Sequence, residues 1–195
     1  MASGFWTSSD VSPKRKFRFL LTIGSMPNGA TWYTKSVNKP QLTVGSSPHK
    51  FLNHTFKYPG GVTWNDISAT LVDPVSPDAS ANLSRIIRES GYRPPVDVND
   101  TTTISKSNAV AALGSVVITQ IDSEGNPVET WTLHNAWIAD VSYGSDLSYD
   151  AEDLTDLTIK FTYDFASIES ANAAEPGPVL GEGKNRYWSP GTKIY

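Results

Sequence analysis

Residues 115–165 read SVVITQIDSEGNPVETWTLHNAWIADVSYGSDLSYDAEDLTDLTIKFTYDF, and their apolar positions recur at every second residue. That period suits a pleated strand with one buried face and does not sustain a helical stripe. Leu157, Ile159, Phe161, Tyr163 and Phe165 point one way, and Thr158, Lys160, Thr162 and Asp164 the other. Trp131, Leu133 and Trp137 continue the alternation upstream, opposite Thr130, Thr132 and His134. Ser123 to Pro127 supplies turn chemistry between that run and Val116 to Ile121. The stretch therefore predicts three antiparallel neighbours forming the backbone of one sheet.

Working outward, Phe17 to Ile23 reads as a first strand with Phe17, Phe19, Leu21 and Ile23 on one face, and Thr31 to Val37 as a second. Pro27-Asn28-Gly29 marks the turn between them. Residues 40–61 are basic and punctuated by Pro40, Pro48, Pro59, Gly60 and Gly61. Gln41 to Val44 and Lys50 to Tyr58 are short strand candidates between them. A loop this long is uncommon in a compact domain, so the stretch is expected to form an extended hairpin. Trp64 to Val72 reads as a central strand with Ile67, Ala69 and Leu71 inward, ended by Asp73-Pro74. Ser76 to Gly91 is the one expected helix, with Ser76 as N-cap, Pro77 in the first position and Gly91 at C′. Its Ala79, Leu83, Ile86, Ile87 and Ser90 share a face suited to lying on a sheet. A loop over residues 92–108 and a half-buried turn over 109–113 lead into the central stretch.

The expected fold is mainly β, an antiparallel β-sandwich or barrel with one flanking α-helix, an extended hairpin loop and N- and C-terminal arms. Length and 38% hydrophobic content fit one domain, residues 17–166, between an arm at 1–16 and an extension at 167–195. The arm carries Phe5 and Trp6, and the extension ends in Tyr187, Trp188, Ile194 and Tyr195.

The absence of cysteine excludes disulfides, thiolate nucleophiles and Cys-based zinc sites. No apolar run approaches the roughly 18 to 20 residues of a membrane-spanning helix, and the first residues lack the pattern of a secretion signal. The expectation is a soluble protein made in a cytoplasm. Net charge is −4, yet residues 1–60 hold eight Lys/Arg against one acid, +7, and the remainder holds eight against nineteen, −11. A split of this size is compatible with an electrostatic partner.

Phosphate-binding loops, dinucleotide turns, HExxH pairs and nucleophile elbows are absent from the sequence. His49 and His54 are five apart in the basic excursion, a spacing that sets them on opposite sides of an extended strand, and His134 stands alone. Asp140, Asp146, Asp150, Glu152, Asp153 and Asp156 crowd 17 residues without a Lys or Arg. Clustered oxygens attract Ca²⁺ or Mg²⁺, but this spacing matches no known loop. Nothing sets the separation that a glycosidase carboxylate pair would need. No catalytic residue, metal or cofactor is expected.

The order of elements resembles the tail tube proteins of contractile-tailed T4-like bacteriophages, which share their fold with the Hcp tube of type VI secretion. The resemblance spans residues 17–165. It rests on YPGGVTWNDISATLVDP, the single helix, Ala136-Trp137, the acidic Leu147 to Asp150 segment and the closing strand. It implies six copies in a ring, rings stacked head to tail, and a conduit through which genomic DNA passes without specific binding. Tail sheath, baseplate and tail terminator proteins are the implied partners, and a virion tail assembled in the host cytoplasm the implied location. On that model Lys14 and Arg15, or Lys50 and Lys57, would face Asp146, Asp150, Glu152 and Asp153 of a neighbouring copy. The lumen would be negative, because a basic bore grips duplex DNA. A baseplate tube initiator, an Hcp-like secretion tube, and a sugar-binding module using Trp6, Trp32, Trp64 and Trp188 stand as alternatives.

Overall fold

The computed structural model describes residues 13–97, 101–144 and 147–171, so the expectations for residues 1–12 and 172–195, and for Asp146, lie outside the described residues. In chain order the strands are β1 (Phe19–Ile23), β2 (Thr34–Val37), β3 (Gln41–Phe51), β4 (His54–Asn65), β5 (Ile67–Val72), β6 (Val116–Ile121), β7 (Pro127–His134), β8 (Trp137–Ser142), β9 (Asp156–Thr162) and β10 (Phe165–Ser170). Helices α1 (Ala79–Glu89) and α2 (Lys106–Leu113) lie between β5 and β6. Two antiparallel four-stranded sheets, ordered β1-β6-β7-β10 and β2-β5-β9-β8, make the body, and β3-β4 forms a separate two-stranded ribbon.

Cross-strand ranks build the interior. In the first sheet the register aligns Ile23, Val116, Leu133 and Ala166 in one rank and Leu21, Ile118, Trp131 and Ile168 in the next. In the second sheet, Ile67 pairs with Phe161, Ala69 with Ile159 and Leu71 with Leu157. All of these side chains except Ile168 and Trp131 join one buried cluster with Leu83 and Ile86 of α1 and Leu113 of α2, and the partly buried Trp131 packs against it. Burying alternate residues from both sheets is what makes a period-2 sequence fold as a sandwich.

The central stretch departs from its expected single sheet. β6 and β7 are neighbours, but the alternation from Trp131 to Trp137 breaks at Asn135, whose φ is +56°. Beyond it, β8 and β9 belong to the second sheet, and β10 returns to pair with β7. A register shift between Ile138 and Asp140 lets both Ile138 and Val141 pack on the core, although a regular strand would turn residues three apart to opposite faces. Pairing continues to Ser170, beyond the expected body limit at 166. Phe17, placed inward by the alternation, is exposed because pairing starts only at Phe19.

Among the described residues two α-helices are present rather than one. The N-cap of α1 is Asp78, not Ser76: its carboxylate accepts from the Ala81 amide at 2.8 Å. Asp73 accepts from the Ala79 amide and the Ser80 hydroxyl as well, so two carboxylates sit at the positive end of the helix dipole. Gly91 takes φ +107°, and a Cβ there would come within 2.7 Å of the Thr103 carbonyl oxygen. The expected turn at 109–113 is the end of α2, bracketed by Ser105, which accepts from the Asn108 amide, and Gly114 at φ +73°.

Candidate inter-subunit surface

Residues 40–61 form the expected hairpin, and its strands are longer than any in the body, 11 and 12 residues. All of β3 and all of β4 up to Thr63 are exposed. The hairpin is fixed at both roots. On the incoming side Lys39 reaches the buried Glu129 carboxylate at 2.6 Å and the Gln120 side-chain oxygen at 2.7 Å. On the outgoing side Trp64 packs on the core, and the Tyr163 hydroxyl donates to the Asn65 carbonyl at 2.8 Å.

Glu129 is the one acid of the described residues buried in the sandwich. It accepts from Lys14, Lys39 and the Trp131 indole, while Gln120 beside it donates to the Arg15 carbonyl at 3.1 Å. Burial opposes its ionisation, and the hydrogen bonds from the two lysines and the indole overcome that, bringing its pKa down to about 2. Lys14 is thus held within its own chain, tying the N-terminal segment and the hairpin root to one carboxylate. No sequence pattern marked Glu129; its place on the inward face of an alternating strand was the available signal.

Beyond its roots the hairpin has two unlike faces. The register pairs Lys50 with Thr55 and Lys57 with Pro48 on one side. On the other it groups Ser47 with Tyr58, His49 with Phe56, and Phe51 with His54. The two histidines therefore share the aromatic face, because the turn at Leu52-Asn53 folds the chain between them, correcting the expectation of opposite sides. His54 and Phe56 meet edge to face at 4.6 Å.

The ion pairs sort the candidate charges. Lys35 pairs with Asp156 at 2.5 Å, Lys106 with Asp164 at 2.7 Å and Lys160 with Asp66 at 3.1 Å. Lys50 and Lys57 make no ion pair among the described residues, and neither do Asp150, Glu152 and Asp153. These three acids lie exposed in the loop between β8 and β9, beside exposed Leu147, Tyr149 and Leu154. Two adjoining open hollows share Asp153 and Leu154, and the second, about 620 Å³, is also lined by Trp32, Lys35 and Val72. Trp32 is exposed, whereas Trp64 is partly buried against Tyr163. Among the described residues no three His, Asp or Glu side chains gather as a metal site would require, and no helix is long and apolar enough to cross a membrane.

No protein-family model matches the chain, and no curated protein matches it by sequence. Solved structures do match in fold. One chain from the anti-feeding prophage baseplate has 16% identity and a TM-score of 0.61 over 83% of this chain and 99% of its own length. A chain from the cap that terminates the tube of the same prophage has 16% identity and a TM-score of 0.61 over 88% of this chain and all of its own. A chain from the sheath-tube complex of an extracellular contractile injection system has 16% identity and a TM-score of 0.58 over 81% of this chain and 92% of its own. The chain is therefore similar in fold to components of contractile injection assemblies, in agreement with the tail-tube fold that its sequence resembles.

Proposed function

We propose that the chain is a structural subunit of the tube of a contractile injection assembly, forming hexameric rings that stack head to tail. Its sandwich resembles chains of contractile systems over more than four-fifths of its length. The observation that carries the proposal is the unfinished state of the isolated chain. Both four-stranded sheets end in edge strands, β1 and β10 in one and β2 and β8 in the other. A fixed-rooted hairpin of exposed strands stands apart from both. Unprotected edges invite pairing, and closing sheets across copies into a barrel removes them. Repetition of one head-to-tail contact then propagates rings into a tube until another protein caps it.

On this reading the tube belongs to a phage tail, sheath, baseplate and terminator proteins are its partners, and genomic DNA moves through the lumen. The outer face of the first sheet suits a bore that does not grip its cargo. Thr22, Val117, Thr132 and Ser167 form one rank and Leu20, Thr119, Thr130 and Glu169 the next, with no Lys or Arg in either. A charge-poor or acidic wall forms none of the phosphate contacts that would arrest a duplex.

Negative-stain microscopy and sedimentation velocity of purified protein across concentrations test the proposal. Annular particles with sixfold averages, or tubes, are expected. Monomers at every concentration would refute it.

A further inference from the structure

We propose that the hairpin tip of one copy seats on the hollow between Trp32 and the 147–155 loop of a second copy. This inference rests on the tube-subunit reading and adds where the tip lands. Leu52 lies at the tip with φ +50° and is 79% exposed. Gly and Asn are the residues that take this turn conformation without cost, so an exposed leucine there is unfavourable for the isolated chain on two counts. Strain kept at an exposed point is a pointer to use. Phe51 and Phe56 flank it, both exposed, on the face opposite Lys50 and Lys57.

The receiving surface has the matching character. Trp32, Leu147, Tyr149 and Leu154 are exposed around the adjoining hollows; Asp153 lines both, and Asp150 and Glu152 lie exposed in the same loop. The occupant is a second copy because the charges on these two surfaces, unpaired among the described residues, are opposite in sign. Lys35, Lys106 and Lys160 of the body are paired with acids, whereas among the described residues Lys50 and Lys57 pair with no acid and Asp150, Glu152 and Asp153 with no base. The apolar tip supplies burial, and the two lysines against three carboxylates fix orientation.

The chain contains no cysteine, so disulfide mapping has no background. Leu52→Cys protein is mixed with Leu154→Cys protein under mild oxidant, with Glu124→Cys in the β6–β7 turn as the control partner. The expected result is a 52–154 hetero-disulfide in at least tenfold excess over the 52–124 product and over both homodimers. Equal or lower yield overturns the contact. Leu52→Gly provides a second reading. It removes the left-handed strain, so the unfolding midpoint is expected to hold or rise while the assembled fraction falls at least tenfold. Normal assembly of Leu52→Gly overturns the proposal. Tubes without the 52–154 product would reject this contact alone, whereas the absence of any assembled species would reject both the contact and the tube reading.

Discussion

The Asn135 side-chain amide donates to Asp164 at 2.7 Å, so the point where the chain leaves the first sheet is tied to the point where it returns. The Asp164 amide donates back to the His134 carbonyl at 3.1 Å, and Lys106 of α2 reaches both Asp164 oxygens at 2.7 Å. One carboxylate thereby joins two crossovers and a helix.

Asp164→Ala is expected to cost about 1 kcal/mol in urea unfolding, a charged hydrogen bond discounted for solvent screening. The Lys106 and Asn135 hydrogen bonds hold this carboxyl below its ordinary range, against a smaller burial effect. Its contribution is therefore present at neutral pH and fades as pH falls through the carboxylate range. A variant as stable as the parent at pH 7 would show that the crossovers hold without it.

Glu129 is expected to dominate acid sensitivity. Its folded pKa of about 2 lies below the unfolded value near 4.3, so its stabilisation is complete above the unfolded value and is lost as pH drops toward 2. The shift corresponds to something on the order of 3 kcal/mol at pH 7. Glu129→Gln should flatten the stability profile between about pH 4.5 and 2, measured by denaturant unfolding at each pH. Hydrogen exchange should also rise at Lys14 and Lys39, whose common acceptor has lost its charge. An unchanged profile would mean that the buried cluster is not coupled to folding.

The cap assignment separates two readings of one helix. Asp78→Ala is expected to destabilise by about 1 kcal/mol, and Ser76→Ala by no more than a few tenths, in paired urea titrations. The reverse order would return the cap to Ser76.

Charge reversal addresses the assembly surface. Lys50→Glu with Lys57→Glu is expected to reduce assembled material in sedimentation without lowering the unfolding midpoint, since neither lysine has an ion-pair partner among the described residues. Adding Asp150→Lys with Asp153→Lys should restore part of it. Failure of rescue would dissociate these two surfaces. Raising the salt concentration should weaken assembly of the parent in the same direction.

Strand existence was legible wherever a single face was buried. Leu157, Ile159 and Phe161 alternate in sequence and are all inward and fully buried, and so are Ile67, Ala69 and Leu71. The hairpin was legible from Pro and Gly punctuation and from its length. Helix α2 was missed because SNAVAAL is apolar nearly all round and has no stripe; Ser105 and Gly114 at its ends were the signals available. Of the charges singled out, Lys50, Lys57, Asp150, Glu152 and Asp153 have no ion pair among the described residues, whereas Lys14 is bound to Glu129. Sequence spacing carries no information on which charges meet across 115 positions.

What the sequence alone determined is where one-faced strands such as β5 and β9 lie and which of their faces is apolar, because the pleat has a period of two. Only the tertiary structure decided sheet membership. Alternation is identical in a strand that stays in its sheet and in one that crosses to the facing sheet. The difference lies in a left-handed Asn135, in the Ile138–Asp140 register shift and in hydrogen bonds between distant residues.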